Sequence, residues 1–205
     1  GRCIKALKGF EKEIIVIDSN SNDNTIKICK QNKIRIYNNK FINQAKQMNW
    51  ALKNVPIKTK WIFRIDADEI VENSFFNKVG YLIEYKKNIS GILIERKIKF
   101  LNKIINYGLT SPHKTLRIWR NGYCKYQNLN EDEQAEVKGK IYLSNAIIID
   151  HNLKSFYWWL NKHNDYARRE TKNYFLYKNK NKTKKITLND MSKVKQNKKF
   201  SIYYK

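Results

Sequence analysis

A chain of 205 residues with 41% hydrophobic side chains is long enough to bury a core and is not disordered as a whole. Its 42 Lys and Arg against 18 Asp and Glu leave a net charge of +24, which suits an anionic partner or reflects a Lys-, Asn- and Ile-rich composition, and says nothing about fold. No apolar run approaches the roughly 18–20 residues that span a bilayer, and the scattered Cys3, Cys29 and Cys124 offer neither metal-ligand spacing nor a disulfide framework.

In chain order, residues 1–10 read as the end of a helix, with no apolar leader before it. Glu13–Asp18 (EIIVID) is a short β-branched run, predicted as a buried strand. The turn formers SNSND follow, and Ser21 or Asp23 can cap a helix over Thr25–Gln31. Ile34–Tyr37 reads as a strand. Asn43–Asn54 reads as a helix with Ala45, Met48, Ala51 and Leu52 on one face, and Trp61–Ile65 as a strand ending at Asp66. This alternation predicts an α/β unit with a parallel sheet. Glu72–Lys86 reads as a helix, and then the pattern changes. Gly91–Ile105 alternates like a strand, Leu116–Tyr126 carries an Asn121-Gly122 hairpin signal, and Lys140–Asp150 is a further strand. Ser155–Lys178 reads as an aromatic-rich amphipathic helix in which Trp158 and Trp159 are expected to pack, and a Lys/Asn-rich tail follows.

Both acidic clusters lie at predicted carboxyl ends of strands, where open α/β sheets bind ligands. In extended backbone the side chains of Asp66 and Asp68 point the same way, so the pair can share a hard cation whose other sites go to water and phosphate. The alternative is that Asp68 or Glu69 caps the next helix. Asp18 can accept a hydrogen bond from a nucleobase N–H, with Ser21 beside it, or it can cap its own loop, which the density of turn formers favours.

Five segments in order carry a resemblance: Glu13–Thr25 (EIIVIDSNSNDNT), Gln44–Leu52 (QAKQMNWAL), Trp61–Val71 (WIFRIDADEIV), Glu131–Gly139 (EDEQAEVKG) and Asp150–Glu170 (DHNLKSFYWWLNKHNDYARRE). Together they resemble family 2 glycosyltransferases, and the last two resemble the branch of lipopolysaccharide-core β-1,4-glucosyltransferases. The resemblance implies a GT-A-like α/β fold. Its sheet is mostly parallel and flanked by helices, with an antiparallel acceptor-side half and a C-terminal helical extension, and the family's first strand precedes what is present here. A glycosyltransferase domain over residues 1–153 and a basic, aromatic-rich segment over 154–205 are expected.

The same resemblance implies inverting transfer of a sugar from a nucleotide-sugar to a glycan or lipid-linked acceptor, as in lipopolysaccharide or other surface-polysaccharide synthesis. It implies donor contacts by Asp18, Lys46, Asn49 and Asp66, and Mg²⁺ or Mn²⁺ on Asp66, Asp68 and His151. Glu133 matches the general base. The family usually has His where this chain has Asp132, so Asp132 stays a second candidate, while the spacing to Gly139 favours Glu133. Arg168, Arg169 and the lysines beyond suit an anionic membrane surface, giving an expected cytoplasmic enzyme held peripherally on the inner face of the plasma membrane. The rival readings are an inactive GT-A-like fragment, a nucleotidyltransferase, and a basic nucleic-acid-binding module. The last is disfavoured because acids at two strand ends would repel phosphate.

Overall fold

The computed structural model describes residues 1–9, 13–107, 112–127 and 134–180, so both expected base residues, Asp132 and Glu133, lie outside the described residues. The chain divides into two units, residues 1–153 and residues 154–205.

The first unit opens with α1 (Arg2–Leu7), β1 (Ile15–Asp18), α2 (Thr25–Gln31) and β2 (Arg35–Asn38). The strands β1 and β2 pair in parallel, Ile15 opposite Arg35 through Asp18 opposite Asn38. Helix α3 (Gln44–Asn54) follows, and Asn43 caps it by accepting the Lys46 N–H on its side chain. Next come β3 (Trp61–Phe63), β4 (Glu69–Val71), α4 (Phe75–Tyr85), β5 (Ile89–Phe100), β6 (Lys103–Ile105), β7 (His113–Arg120), β8 (Cys124–Gln127), β9 (Gln134–Val137) and β10 (Lys140–Asp150).

The main sheet has the order β3-β7-β5-β10-β4, with β6 added to β5. Only β5 and β10 pair in parallel there; β3–β7, β7–β5, β10–β4 and β5–β6 are antiparallel. The expected α/β class with an antiparallel second half is present, but the parallel share is smaller than alternating strands and helices suggest. The reason is that β7 lies between β3 and β5 and pairs antiparallel with both, while β4 and β6 add two more antiparallel pairs at β10 and β5.

Two turns decide local topology. Leu101 and Asn102, with φ of 46° and 63°, form the tight link of the β5–β6 hairpin, so the stretch predicted as one strand is two. The Asn121-Gly122 turn also forms, with Gly122 at φ 83° and Tyr123 N–H donating to Arg120 C=O at 3.0 Å. The strands it joins do not pair with each other, however, because β7 is held by β3 and β5 while β8 pairs with β9.

Burial follows the alternation of β5. Ile92 and Ile94, both fully buried, face Phe75 and Val79 of α4 together with Ile118, Ala146 and Ile148. On the other face, Trp119 and Tyr126 stack edge to face at 5.9 Å and pack against Ala45 of α3.

The second unit is described by α5 (Phe156–Lys180), capped where Ser155 Oγ accepts the Trp158 N–H at 3.2 Å. Phe156, Trp159, His163 and Tyr166 stack in series along it, with ring centroids 5.8, 3.8 and 5.6 Å apart. Lys154 and Lys162 sit over Trp158 at 4.6 and 5.0 Å. Among the described residues no helix is long and apolar enough to cross a membrane.

Candidate functional site

Strand β3 ends at Phe63, three residues before Asp66. Residues 66–69 then form a turn closed by Glu69 N–H donating to Asp66 C=O at 3.0 Å. The expectation that Asp66 and Asp68 align by strand alternation therefore does not hold, because the backbone between them is not extended.

The Asp66 carboxylate lies between two guanidinium groups. Arg64 Nη2 is 3.1 Å from Oδ1 and Arg117 Nη2 is 3.2 Å from Oδ2. Burial pushes its carboxyl up, but Arg117 and then Arg64 outweigh that and hold it below the usual carboxylate range. Asp68 faces elsewhere. Its Oδ2 accepts from Asn152 Nδ2 at 3.1 Å, and its backbone C=O accepts the His151 N–H at 3.1 Å. Glu69, 1% exposed, takes Arg117 Nη2 at 2.7 Å and Arg96 Nε at 3.1 Å on Oε1, and its Oε2 accepts the Asp66 N–H at 2.9 Å. Burial, reinforced by Asp66, raises the Glu69 carboxyl against the pull of Arg117 and Arg96.

His151 Nδ1 is 2.8 Å from Arg2 Nη1. A guanidinium only donates, so Nδ1 accepts and the neutral ring carries its proton on Nε2. Burial, then Lys99 and Arg2, lower its pKa, which keeps the ring neutral. In this arrangement His151 presents an N–H and not a lone pair, so the expected metal-ligand role does not fit its tautomer.

Among the described residues no three His, Cys, Asp or Glu side chains form a group able to hold a metal ion. The residues fit a divalent cation in one restricted sense. Among the described residues no arginine is placed on the Asp68 carboxylate, and Mg²⁺-type sites commonly use one or two carboxylates and take their other ligands from phosphate and water. Asp66, compensated by two arginines, adds little net negative charge.

The first acidic loop is built differently. Asp18, 4% exposed, accepts the Ser21 N–H on Oδ2 at 3.0 Å, and its C=O accepts the Asn39 N–H at 2.9 Å. Asp18 and Ser21 thus come together as the two ends of a local cap. Gln47, which sequence reasoning missed, bridges this loop to α3: its Nε2 donates to Ser19 Oγ at 3.0 Å and its Oε1 accepts from Asn39 Nδ2 at 2.6 Å. An amide at 7% exposure on the inner face of a helix needs both partners, and that was its signal. Lys46 is exposed one residue away. Asn49, expected at the donor pocket, uses both ends of its amide on the Tyr126 backbone, donating to its C=O at 2.7 Å and accepting its N–H at 2.9 Å. It ties α3 to β8 with one bond at each end of its amide.

A cavity of about 1190 Å³ lies between β1 and β3. Consecutive residues line it, Ile15, Val16 and Ile17 on one side and Trp61, Ile62 and Phe63 on the other, so it meets the edges of both strands and not one face. At their carboxyl ends it reaches Ser19, Gln47, Arg64 and Asp66, so both acidic loops border one space.

Residues 1–135 match the family described as Glycosyl transferase family 2. An uncharacterized glycosyltransferase of Rickettsia prowazekii is 24% identical over 186 residues, which is 83% of this chain and 62% of that protein. One from Rickettsia typhi is 22% identical over 182 residues, again 83% of this chain and 62% of the relative. The chain therefore spans about three fifths of the length of these curated relatives. Among solved structures, the crystal structure of Staphylococcus aureus TarS residues 1–349 superposes with a TM-score of 0.40 at 23% identity, covering 58% of this chain and 42% of that one.

Proposed function

The chain belongs to glycosyltransferase family 2, and we propose that its GT-A-like unit carries the donor side of a transfer from a nucleotide-sugar to a glycan or lipid-linked acceptor. The observation that carries this reading is the pair of acidic loops bordering one cavity, with Asp68 held by Asn152 and clear of the arginines that compensate its neighbours.

The donor diphosphate would lie against the 66–69 turn. Asp68 would hold a divalent cation, Mg²⁺ or Mn²⁺, which when bound supplies positive charge to the leaving diphosphate. Arg64, next to the same space, adds fixed positive charge where negative charge develops. His151 would donate its Nε2–H to a phosphate oxygen while Arg2 keeps the ring in that tautomer. Asp18 and Ser21 would shape the loop under the base and ribose, and exposed Lys46 would reach the donor from α3. Asp66 would approach the ribose only by giving up one of its two arginines. Glu133, with Asp132 as the second candidate, would take the proton of the acceptor hydroxyl as it attacks the anomeric carbon. Lipopolysaccharide-type acceptors and an anionic membrane surface under α5 complete the reading; the interleaved lysines and aromatic rings of that helix support the latter.

The test is donor hydrolysis and transfer over a panel of nucleotide-sugars with Mg²⁺ or Mn²⁺, on the protein as it exists in the cell. Asp68→Ala should abolish cation-dependent donor binding while leaving the fold intact. Unchanged binding by that variant would sink the assignment.

A further inference from the structure

Around the 66–69 turn, six charged side chains from four segments form an alternating series: Arg64, Asp66, Arg117, Glu69, Arg96 and Asp150. Three cations face three anions, so the series is neutral as a whole. Such buried series are poor sources of stability, because desolvation offsets the attraction. This one also leaves Arg117 Nε and Nη1 buried without a partner. Position is the better account of why it is there.

Arg96 is the member that joins two pieces of backbone. Its Nε reaches Glu69, the residue after Asp68, and its Nη2 pairs closely with Asp150. Asp150 precedes His151 and Asn152, and these two grip Asp68, one by backbone N–H and one by side-chain amide. Glu69 and Asp150 are also register partners across β4 and β10. The guanidinium of Arg96 therefore fixes the spacing between the turn that carries Asp68 and the segment that orients it.

We propose that Arg96 is a positioning residue for the donor site: through Glu69 and Asp150 it holds the Asp68 carboxylate in the orientation that receives a cation–diphosphate. The inference rests on the donor-site reading above. Arg96 is partly exposed, with side-chain accessibility of 27%, so its replacement is compatible with a folded chain.

The experiment titrates Mn²⁺ by electron paramagnetic resonance, with and without a nucleoside diphosphate, on the full chain and three variants. Arg96→Gln should weaken Mn²⁺–diphosphate binding about tenfold or more, the usual range for loss of an outer partner, and raise the donor KM more than it lowers kcat. Arg96→Lys should recover part of the affinity. Lys78→Met removes another ion pair and a contact to the Asn145 carbonyl, away from Asp68, and should leave binding unchanged. Should Arg96→Gln not fold, Asp150→Asn breaks the brace from its other end and carries the same expectation. Wild-type affinity in the folded Arg96→Gln variant, or an equal loss in Lys78→Met, overturns the role of Arg96. Failure of the unsubstituted chain to bind overturns the donor-site reading itself, and with it the basis for this inference.

Discussion

The loops after β1 and β3 look alike in sequence, an apolar strand running into acidic residues, yet they are held by opposite means. Asp18 is held within its own loop, by a backbone N–H three residues on. Asp66 has one local arginine, Arg64, but it and Glu69 are also held by Arg117, 51 and 48 residues away, and Glu69 by Arg96, 27 residues away. The first loop needs only its near neighbours in the chain, β1, β2 and α3, through Asn39 and Gln47. The second can form only when β4, β5, β7 and β10 have assembled, so the candidate cation site is a product of the whole sheet.

Arg117→Met tests that contrast most severely. It strands the Glu69 carboxylate inside the sheet with one arginine, and breaking a buried pair in this way should cost about 3–5 kcal/mol in urea unfolding. A loss no larger than that of a surface substitution would break the comparison. Asn49→Ala is next. It leaves the Tyr126 N–H and C=O unpaired at the α3–β8 contact, for an expected loss of about 1–3 kcal/mol. Donor affinity should change little, since its amide serves the backbone. Asp18→Ala removes only a local cap and should cost about 0.5–2 kcal/mol.

The pH dependence gives the smallest and sharpest signal. The folded-state pKa of Asp66 is lowered, so its contribution is present above the unfolded value near 3.8 and is lost as pH falls through the folded one. That of Glu69 is raised, so its contribution has the opposite sign: it is present below the unfolded value near 4.5 and is lost as pH rises through the folded one. Glu69→Gln should remove the second effect and leave the first with its direction unchanged. In the variant, the decline of stability above about pH 4.5 should vanish while the acid-side loss remains.

Much of this was legible in the sequence. The run KIYLSNAIIID is a strand, and EIIVID and WIFRI each contain one, because β-branched, apolar residues cluster there between turn formers. The helix ending at Asn54 and the aromatic helix after Ser155 were equally plain. The site was less so. Side-chain alternation does not reach Asp66–Asp68, because β3 ends at Phe63 and residues 66–69 form a hydrogen-bonded turn. The arginine series went unseen, although a signal existed: Arg117 sits alone between Leu116 and Ile118 in a run otherwise fit for burial. A guanidinium there has to find an acid, and the only question is which. Sequence spacing cannot answer it, because the partners meet only through sheet order. The bond of Asn49 to Tyr126 was hidden for a related reason, since nothing in a helix periodicity marks an amide as serving a distant strand's backbone.

The space between β1 and β3 has a practical consequence. Among the described residues each strand has a ladder partner on one side only, and the free flanks face each other across an apolar seam. Such flanks are templates for pairing with other chains, whereas the +24 charge drives copies of this chain apart. Raising ionic strength shortens the reach of that repulsion and leaves the seam untouched. Light scattering from the purified 205-residue chain should therefore rise with added salt, the reverse of ordinary salting-in, and β-rich assemblies should accompany it.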